Sequence, residues 1–316
     1  MKKAFEKLNL RDYGVLLGFL ALCIAISIAT PSFLGKQNIL NLLRQSSIIG
    51  IISAGMTFVI ISGNFDISVG AVAALAGAIT MKFATGGTNL FASMLLGIAI
   101  CAVIGLINGI VVAKINVPSL IATMAMVTIV RGLLLMLTGG YPITENIPIL
   151  DYIGNGYLFN IPIPVVIFFI VVLASFIVLN KTKFGRYVYS VGGNQEASKL
   201  NGINVDSHKV KVFIINAVLA GIAGIVLTGR LGTATAIAGE AYDMDAIASV
   251  VIGGTSVAGG SGSVLKTVIG VLLMSVINNS FNLLGIDVYF QYIFKGLIIL
   301  AAVGFDSYSK KKLASR

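Results

Sequence analysis

The sequence predicts an all-α polytopic membrane protein, a single domain over residues 1–316, with about ten transmembrane helices and a helix in a cytoplasmic loop. The chain is 57% hydrophobic and only 11% charged, which excludes an ordinary soluble globular fold. A span needs about 20 apolar residues, so the chain length allows about ten. The net charge of +10 could suggest nucleic acid, but the basic residues concentrate where the positive-inside rule expects them, in residues 1–12, 181–211 and 306–316.

Apolar runs define the elements in order. A cleaved signal peptide is an alternative for the first run, but this run is long and lacks a small-residue cleavage site before Pro31. Gly105 and Gly109 have the spacing of a close-packing motif. The eighth run is short and holds Gly253-Gly254, which predicts a broken helix. The predicted spans are residues 13–30, 47–63, 67–84, 90–113, 118–138, 164–180, 212–229, 246–258, 264–284 and 288–305.

The charges predict an orientation. Ten spans place most of the 22 Lys and Arg residues on one side, together with both termini, and that side is the cytoplasm. The Pro- and Gly-rich segment 139–162 and the acidic segment 233–245 then face outward. We therefore expect a multi-pass protein of a bacterial plasma (inner) membrane with both termini cytoplasmic.

Residues 181–211 form the long hydrophilic segment inside the chain. Six of them are Lys or Arg, and His208 is the only histidine of the sequence. A helix-compatible run, Asn194–Leu200, ends at Asn201-Gly202, which is a helix stop signal. A basic, partly helical loop between spans predicts a cytoplasmic contact for a partner protein.

The link Gly63-Asn-Phe-Asp-Ile-Ser-Val-Gly70 joins the second and third spans. A carboxylate near hydrocarbon is costly and is usually functional, and the glycines permit a helix break that lines a cavity. The alternative is a plain turn in which Asp66 is the N-cap of the next helix. The residues alone leave both readings open.

Other polar residues lie within predicted spans. Arg131 either pairs with a carboxylate, for which Asp66 is the nearest candidate by chemistry, or extends to the outer headgroups. Amides inside spans usually join helices. The candidates for a translocation path or gate are Asn64, Asp66, Ser68, Asn108, Thr123, Arg131, Asn278 and Asn279.

Several chemistries are excluded. Cys23 and Cys101 lie in apolar runs and provide neither a disulfide framework nor a metal cluster. The stretch Gly259-Gly-Ser-Gly262 fits a serine protease pattern, but the only histidine lies in the hydrophilic segment, away from it. The sequence has no G-x-x-x-x-G-K-[ST] loop, so we predict no enzyme activity and no bound cofactor in this chain.

The motifs resemble those of a known family. Glu196-Ala-Ser-x-x-x-Gly202 is similar to the Glu-Ala-Ala-x-x-x-Gly signature on the coupling helix of ABC importer permeases. The 63–70 link is similar to the Gly-Gly-x-Asp-Leu-Ser-Val-Gly motif of the ribose/galactose/xylose-type permeases. The resemblance of the whole chain to this family runs from about Asn38 to Val303. This sequence departs from the family pattern at Asn64, where the family often has glycine, and at Ser198, which replaces an alanine.

The resemblance implies a homodimeric permease for a monosaccharide, with ATP and magnesium on two separate ATPase subunits and an extracytoplasmic sugar-binding protein. It also implies the residues that couple to the ATPase: Gly185, Arg186, Asn194, Glu196, Ala197, Ser198 and Gly202. Permeases for nucleosides or branched-chain amino acids are alternatives. An ion-coupled secondary transporter is a further alternative, but it would need paired intramembrane carboxylates, and Asp66 has no clear mate in the sequence.

Overall fold

The computed structural model describes residues 10–314, and most of them are helical. The predicted cytoplasmic N-terminus, residues 1–12, and the end of the predicted C-terminal tail, residues 306–316, therefore lie partly outside the described residues. The helices are α1 (Leu10–Ala29), α2 (Lys36–Ile61), α3 (Val69–Thr85), α4 (Leu90–Ala113), α5 (Ser119–Thr138), α6 (Pro148–Asn155), α7 (Ile163–Lys181), α8 (Lys183–Gly193), α9 (Gln195–Leu200), α10 (Val205–Leu231), α11 (Tyr242–Ile252), α12 (Val264–Leu283) and α13 (Val288–Ala314).

Short strands occur at one end of the bundle. They are β1 (Ile143–Thr144), β2 (Tyr157–Leu158), β3 (Ile161–Pro162) and β4 (Thr233–Ala234). Strand β1 pairs with β4 in antiparallel fashion, and β2 pairs with β3. The first pair joins the two segments that the sequence predicts to face outward, so these segments lie at the same end of the molecule, which we call the strand end.

The predicted membrane class is confirmed. Six described helices (α2, α4, α5, α7, α10 and α12) are long and apolar enough to cross a bilayer, and shorter apolar helices lie at Val15–Ala29, Val69–Thr85 and Val288–Ala301. These lengths do not decide whether the shorter helices also cross the bilayer, so the number of ten spans stays a prediction. Many large apolar side chains of α4, α5 and α7 are exposed, as expected for helices that face lipid.

Helix α10 is the centre of the bundle and packs against α2, α3 and α4. Glycines allow these helices to approach closely. An ideal Cβ on Gly105 would lie 2.6 Å from the Phe213 carbonyl oxygen, and one on Gly109 would lie 2.6 Å from Val210 Cα. The predicted close-packing motif is therefore confirmed, and it faces α10.

Two helices, α2 and α10, begin about two turns or more before the apolar runs that predict them. Helix α2 starts at Lys36 instead of residue 47, because polar residues of its first turns find partners at the strand end: Arg44 donates to the Asn155 carbonyl and lies 4.9 Å from the centre of the Tyr157 ring. Helix α10 starts at Val205 instead of residue 212, because Asn204 caps it by accepting a hydrogen bond from Ser207 N.

The hydrophilic segment 181–211 is more helical than the sequence indicates. The predicted short helix is confirmed as α9, but α8 precedes it and the first turns of α10 follow it. Each of the three starts with a side-chain cap: Thr182 accepts from Gly185 N, Asn194 from Ala197 N and Asn204 from Ser207 N. Since α10 connects this segment to β4, α8 and α9 lie at the end opposite the strand end, which we call the coupling end.

Close packing on α10 gives a stability prediction. An ideal Cβ on Gly224 would lie 1.8 Å from the Ala73 carbonyl oxygen of α3, a contact between two backbones that no rotamer change relieves. Gly224→Ala should therefore lower the midpoint of thermal unfolding of the detergent-solubilised protein by several degrees. The control is Gly132→Ala in α5, where an added Cβ meets nothing within 4 Å. Equal midpoints for the two variants would contradict this packing.

Candidate functional site

The first helix break is the non-helical segment 62–68 between α2 and α3. Its Asp66 is only 1% exposed, and it bonds Asn216, which lies near the middle of α10. The break therefore lies deep inside the bundle. Helix α3 is short because residues 62–68, which are not helical, cover part of the distance that a full-length helix would span. Of the two readings that the sequence left open for this link, the structure therefore agrees with the helix break.

Asp66 organises this break through two oxygens. Its Oδ1 accepts hydrogen bonds from Ser68 N at 2.9 Å and from Ser68 Oγ, and its Oδ2 accepts from Asn216 Nδ2 at 2.9 Å. Asn108 Nδ2 donates to Ser68 Oγ at 3.1 Å. The result is a buried polar network that joins the break to α4 and α10. The N-cap position itself is Ser68, because α3 begins at Val69, so Asp66 orders the chain just before the cap and is not the N-cap.

The second helix break is the segment 232–241 between α10 and α11. After β4 the chain turns back into the bundle, so that Gly239 lies against Gly70 in the first turn of α3. An ideal Cβ on Gly70 would lie 2.2 Å from Gly239 O, and one on Gly239 would lie 2.7 Å from Gly70 O. The two breaks thus meet backbone to backbone at a pair of glycines, where no other residue type fits.

Helix α5 provides hydrogen-bond partners for both breaks. At the first break, Phe65 N donates to Ser119 Oγ at 3.1 Å and Ile67 N donates to Thr123 Oγ1 at 3.3 Å. At the second break, Arg131 Nη1 donates to the Ala236 carbonyl and, at 3.1 Å, to the Ala238 carbonyl. Ser119, Thr123 and Arg131 are separated by multiples of four residues, so they lie along one side of α5.

The hypothesised ion pair between Asp66 and Arg131 is not formed in the part of the chain that the structure describes. Asp66 bonds Ser68 and Asn216, whereas Arg131 bonds the carbonyls of the second break. The alternative, in which Arg131 extends to the headgroups, is also not what the structure shows. A guanidinium with five N–H donors is well suited to the exposed carbonyls of a broken backbone, and these carbonyls lie within its reach.

The remaining predicted path residues act as local or interhelical hydrogen-bonding groups. Asn64 is 5% exposed and donates to the Ser62 carbonyl and hydroxyl inside the first break. Asn279 and Asn38 exchange two hydrogen bonds, of 2.8 and 3.0 Å, which join α12 to α2. These contacts match the expectation that intramembrane amides join helices, and a direct role in the path stays a prediction.

Sequence reasoning missed a buried ion pair. Lys295 of α13 lies 3.0 Å from an oxygen of Asp245 at the start of α11, and Asn278 of α12 donates to the other oxygen at 3.4 Å. Asp245 is 3% exposed and lies in the first turn of α11, so it is a packed helix residue and not a solvated residue of the acidic segment 233–245. The signal for this ion pair was a lysine, Lys295, inside an apolar run. Sequence reasoning also missed Asn216, the partner of Asp66, for which the signal was a single amide within the apolar part of α10.

The predicted coupling residues cluster at the coupling end. Gly185 packs on α7, with an ideal Cβ only 2.1 Å from the Leu179 carbonyl oxygen. Ser198 is buried, and its hydroxyl lies 2.8 Å from the hydroxyl of Ser190, which joins α9 to α8. Arg186 and Glu196 are exposed, and Ala197 is half-buried. Gly202 adopts a positive φ of +77°, a left-handed turn that ends α9.

Gly192 of α8 and Gly260 of the turn between α11 and α12 meet at the end of α2, a contact that we call the glycine junction. Gly260 N donates to the Ile61 carbonyl at 2.8 Å, and an ideal Cβ on Gly192 would lie 1.7 Å from that same carbonyl oxygen. Tyr189 donates from its hydroxyl to the Gly262 carbonyl at 3.0 Å. The end of α8 therefore contacts the start of the first break and the turn between α11 and α12.

Comparison with known proteins identifies the family. The family described as the branched-chain amino acid transport system, permease component, matches residues 38–303. The chain belongs to this permease family. The matched residues include both breaks, the glycine junction and the coupling end, so the architecture described above is that of a family member. No solved structure matches the chain.

Curated relatives of the permease are sugar importers by name. It is 44% identical over 303 residues to the ribose import permease protein RbsC of Haemophilus influenzae, covering 93% of this chain and 94% of the relative. It is 43% identical to RbsC of Bacillus subtilis, covering 94% and 93%, and 35% identical to the L-arabinose transport system permease protein AraH of Escherichia coli, covering 95% and 92%. The resemblance stated from the motifs is confirmed.

The network around Asp66 gives a second prediction. Asp66→Ala removes the partner of three donors, and each buried unpaired group costs about 1–3 kcal/mol, so the free energy of unfolding should fall markedly. Asp66→Asn keeps an oxygen for Ser68, and its amide can donate to Asn216 Oδ1, which has no partner among the described groups. This variant should therefore be much milder. The free energy of unfolding of the purified protein checks the order.

A double variant tests the separation of Asp66 from Arg131. Residues without shared partners have additive effects within about 0.5 kcal/mol. The losses in Asp66→Asn and Arg131→Gln should therefore add in the combined variant. Recovery of stability in the combined variant would contradict the structure, because it would mean that the two charges pair.

Proposed function

We propose that this chain is the transmembrane permease subunit of an ATP-driven ABC importer and forms the translocation path for a ribose-like monosaccharide. The observation that carries the proposal is the identity of 44% and 43% to two ribose import permeases over more than nine tenths of the chain. The break at Asp66 supports it, since a buried, hydrogen-bonded interruption between helices is a structure that a path for a neutral, polar solute can use.

The coupling end is the proposed contact for a separate ATPase, which would hold ATP and magnesium. The sequence has no nucleotide-binding loop of the Walker A type. Helix α9 offers an exposed surface with Glu196, Lys199 and Leu200, and the Leu200 side chain is 90% exposed. An apolar side chain exposed between charged residues suits a protein contact. We infer that α9 lies in a cleft of the ATPase and moves with it as a rigid body.

The remaining parts of the proposal concern topology and assembly. Ten crossings, with the short helix α11 as one of them, place both termini and the coupling end in the cytoplasm of a bacterium and the strand end outside. The concentration of Lys and Arg in residues 181–211 supports this orientation. By the resemblance, two copies of the chain form the path, and an extracytoplasmic sugar-binding protein delivers the substrate at the strand end.

A second substrate class has a specific observation in its favour. The description of the matching family names branched-chain amino acids. We favour a sugar because the curated relatives of highest identity named above import ribose. Nucleosides, and an ion-coupled mechanism, have no observation of comparable weight.

The turn at Gly202 provides the test of coupling. A β-branched residue is strongly disfavoured at a φ of +77°, so Gly202→Val should distort the end of α9 and abolish both ribose uptake and the stimulation of ATP hydrolysis by the loaded binding protein. Asparagine tolerates this conformation, and an added Cβ meets nothing within 4 Å, so Gly202→Asn is the matched control and should retain most activity. Normal stimulation in the valine variant would rule out this role of α9.

A further inference from the structure

A cavity lies where the two helix breaks meet. Its volume is about 410 Å³, and it is bounded by α5, the start of α3, the second break and the start of α11. Gly70 and Gly239 line it, whereas Asp66 and Ser68, which precede Gly70 in the chain, do not. The cavity is therefore separate from the buried Asp66 network, although Ile67 of the first break lines it.

The wall of the cavity has hydrogen-bonding groups of both kinds. Arg131 borders the cavity. Its Nη1 donates to the carbonyls of the second break, and the N–H groups on its other guanidinium nitrogens remain as donors for a ligand. The carboxylates of Glu240 and Asp243 supply acceptors, and the Thr128 hydroxyl, which donates to the Met124 carbonyl at 3.5 Å, supplies another. Within the described residues, neither carboxylate forms a close salt bridge, and the one found there belongs to Asp245. Both carboxylates are nevertheless near enough to the Arg131 guanidinium to attract it.

The rest of the wall is apolar. Ile67, Met124, Val127 and Ile237 line it. A small-molecule site typically has a volume of about 300–1,000 Å³ and combines mostly apolar walls with a few polar groups that fix orientation. A monosaccharide presents hydroxyl groups at its edges and C–H groups on its faces, so both parts of this wall match it.

We propose that this cavity is a recognition site for the hydroxyl groups of the transported sugar, with Arg131 as donor and Glu240 and Asp243 as acceptors. The proposal rests on the proposed function, namely that the chain carries a ribose-like sugar. It adds a site within the permease, next to the contact between Gly70 and Gly239. A sugar released by the binding protein would be held here before that contact opens.

Protection of an introduced cysteine tests the site. In a background with Cys23→Ser and Cys101→Ala, Thr128→Cys adds a thiol to the cavity wall, and a hydrophilic thiol reagent should modify it in the complex of permease, ATPase and membrane. At a ribose concentration about ten times the dissociation constant, about nine tenths of the sites are filled, so modification should slow about tenfold. Thr144→Cys lines a different cavity, beside Leu150, and is the control that ribose should not protect.

Three results would overturn the proposal. A cysteine at position 128 that never reacts means that water does not reach the cavity. A rate that ribose leaves unchanged means that no sugar binds there. Protection by leucine and not by ribose assigns the cavity to an amino acid. The stimulation of ATP hydrolysis by ribose-loaded binding protein is measured on the same complex. If stimulation is normal, these results reject only the cavity as a sugar site; if it is absent, the proposed function itself fails.

A charge-neutral variant supplies an independent readout. Asp243→Asn keeps the size of the side chain but removes the negative charge, so it should lower the maximal rate of ribose uptake while the stimulation of ATP hydrolysis by the loaded binding protein persists. Glu145 lines the cavity beside Leu150. Glu145→Gln is therefore the matched control, and it should leave ribose uptake unchanged. Equal uptake by both variants would contradict a role of Asp243 in holding the sugar.

Discussion

The hydrogen bonds of two broken helices are the constraint on which the rest of this structure depends. Inside a bilayer, each unpaired backbone N–H or C=O costs several kcal/mol, so a non-helical segment survives there only if protein groups satisfy it. In this permease one helix, α5, holds both breaks: Ser119 and Thr123 accept from N–H groups of the first, and Arg131 donates to carbonyls of the second. The breaks then close against each other at Gly70 and Gly239. A small movement of α5 would therefore affect both breaks at once.

The glycine junction extends this arrangement to the coupling end. The Ile61 carbonyl, at the end of α2, accepts a hydrogen bond from Gly260 N and lies in close contact with Gly192 of α8. Contacts between backbones have no side-chain freedom to absorb a displacement, so movement of α8 and α9 reaches the first break directly. In the proposed function, this contact gives the ATPase a mechanical connection to the path.

The sequence predicted the membrane class, the α9 helix and its stop at Gly202, because hydropathy, capping and turn signals are local. It also indicated a break at Asp66, since a carboxylate between glycines is unusual in an apolar chain. It could not choose the partner of Asp66, because Asn216 lies far away in sequence and one amide in an apolar helix looks like any other. The second break was read as an outward loop, because the contact of Gly239 with Gly70 depends on how the helices pack.

The contact between Gly70 and Gly239 is the most direct point at which to test this account. In the complete importer reconstituted in lipid vesicles, Gly70→Ala should reduce ATP-driven uptake of radiolabelled ribose by about tenfold or more, the effect of about 1.4 kcal/mol or more on the barrier, because the added Cβ would lie 2.2 Å from a backbone oxygen. Gly18→Ala in α1, where nothing lies within 4 Å, should transport normally. Uptake by Gly70→Ala at the rate of Gly18→Ala, with equal amounts of assembled complex, would contradict the claim that the meeting of the two breaks controls the path.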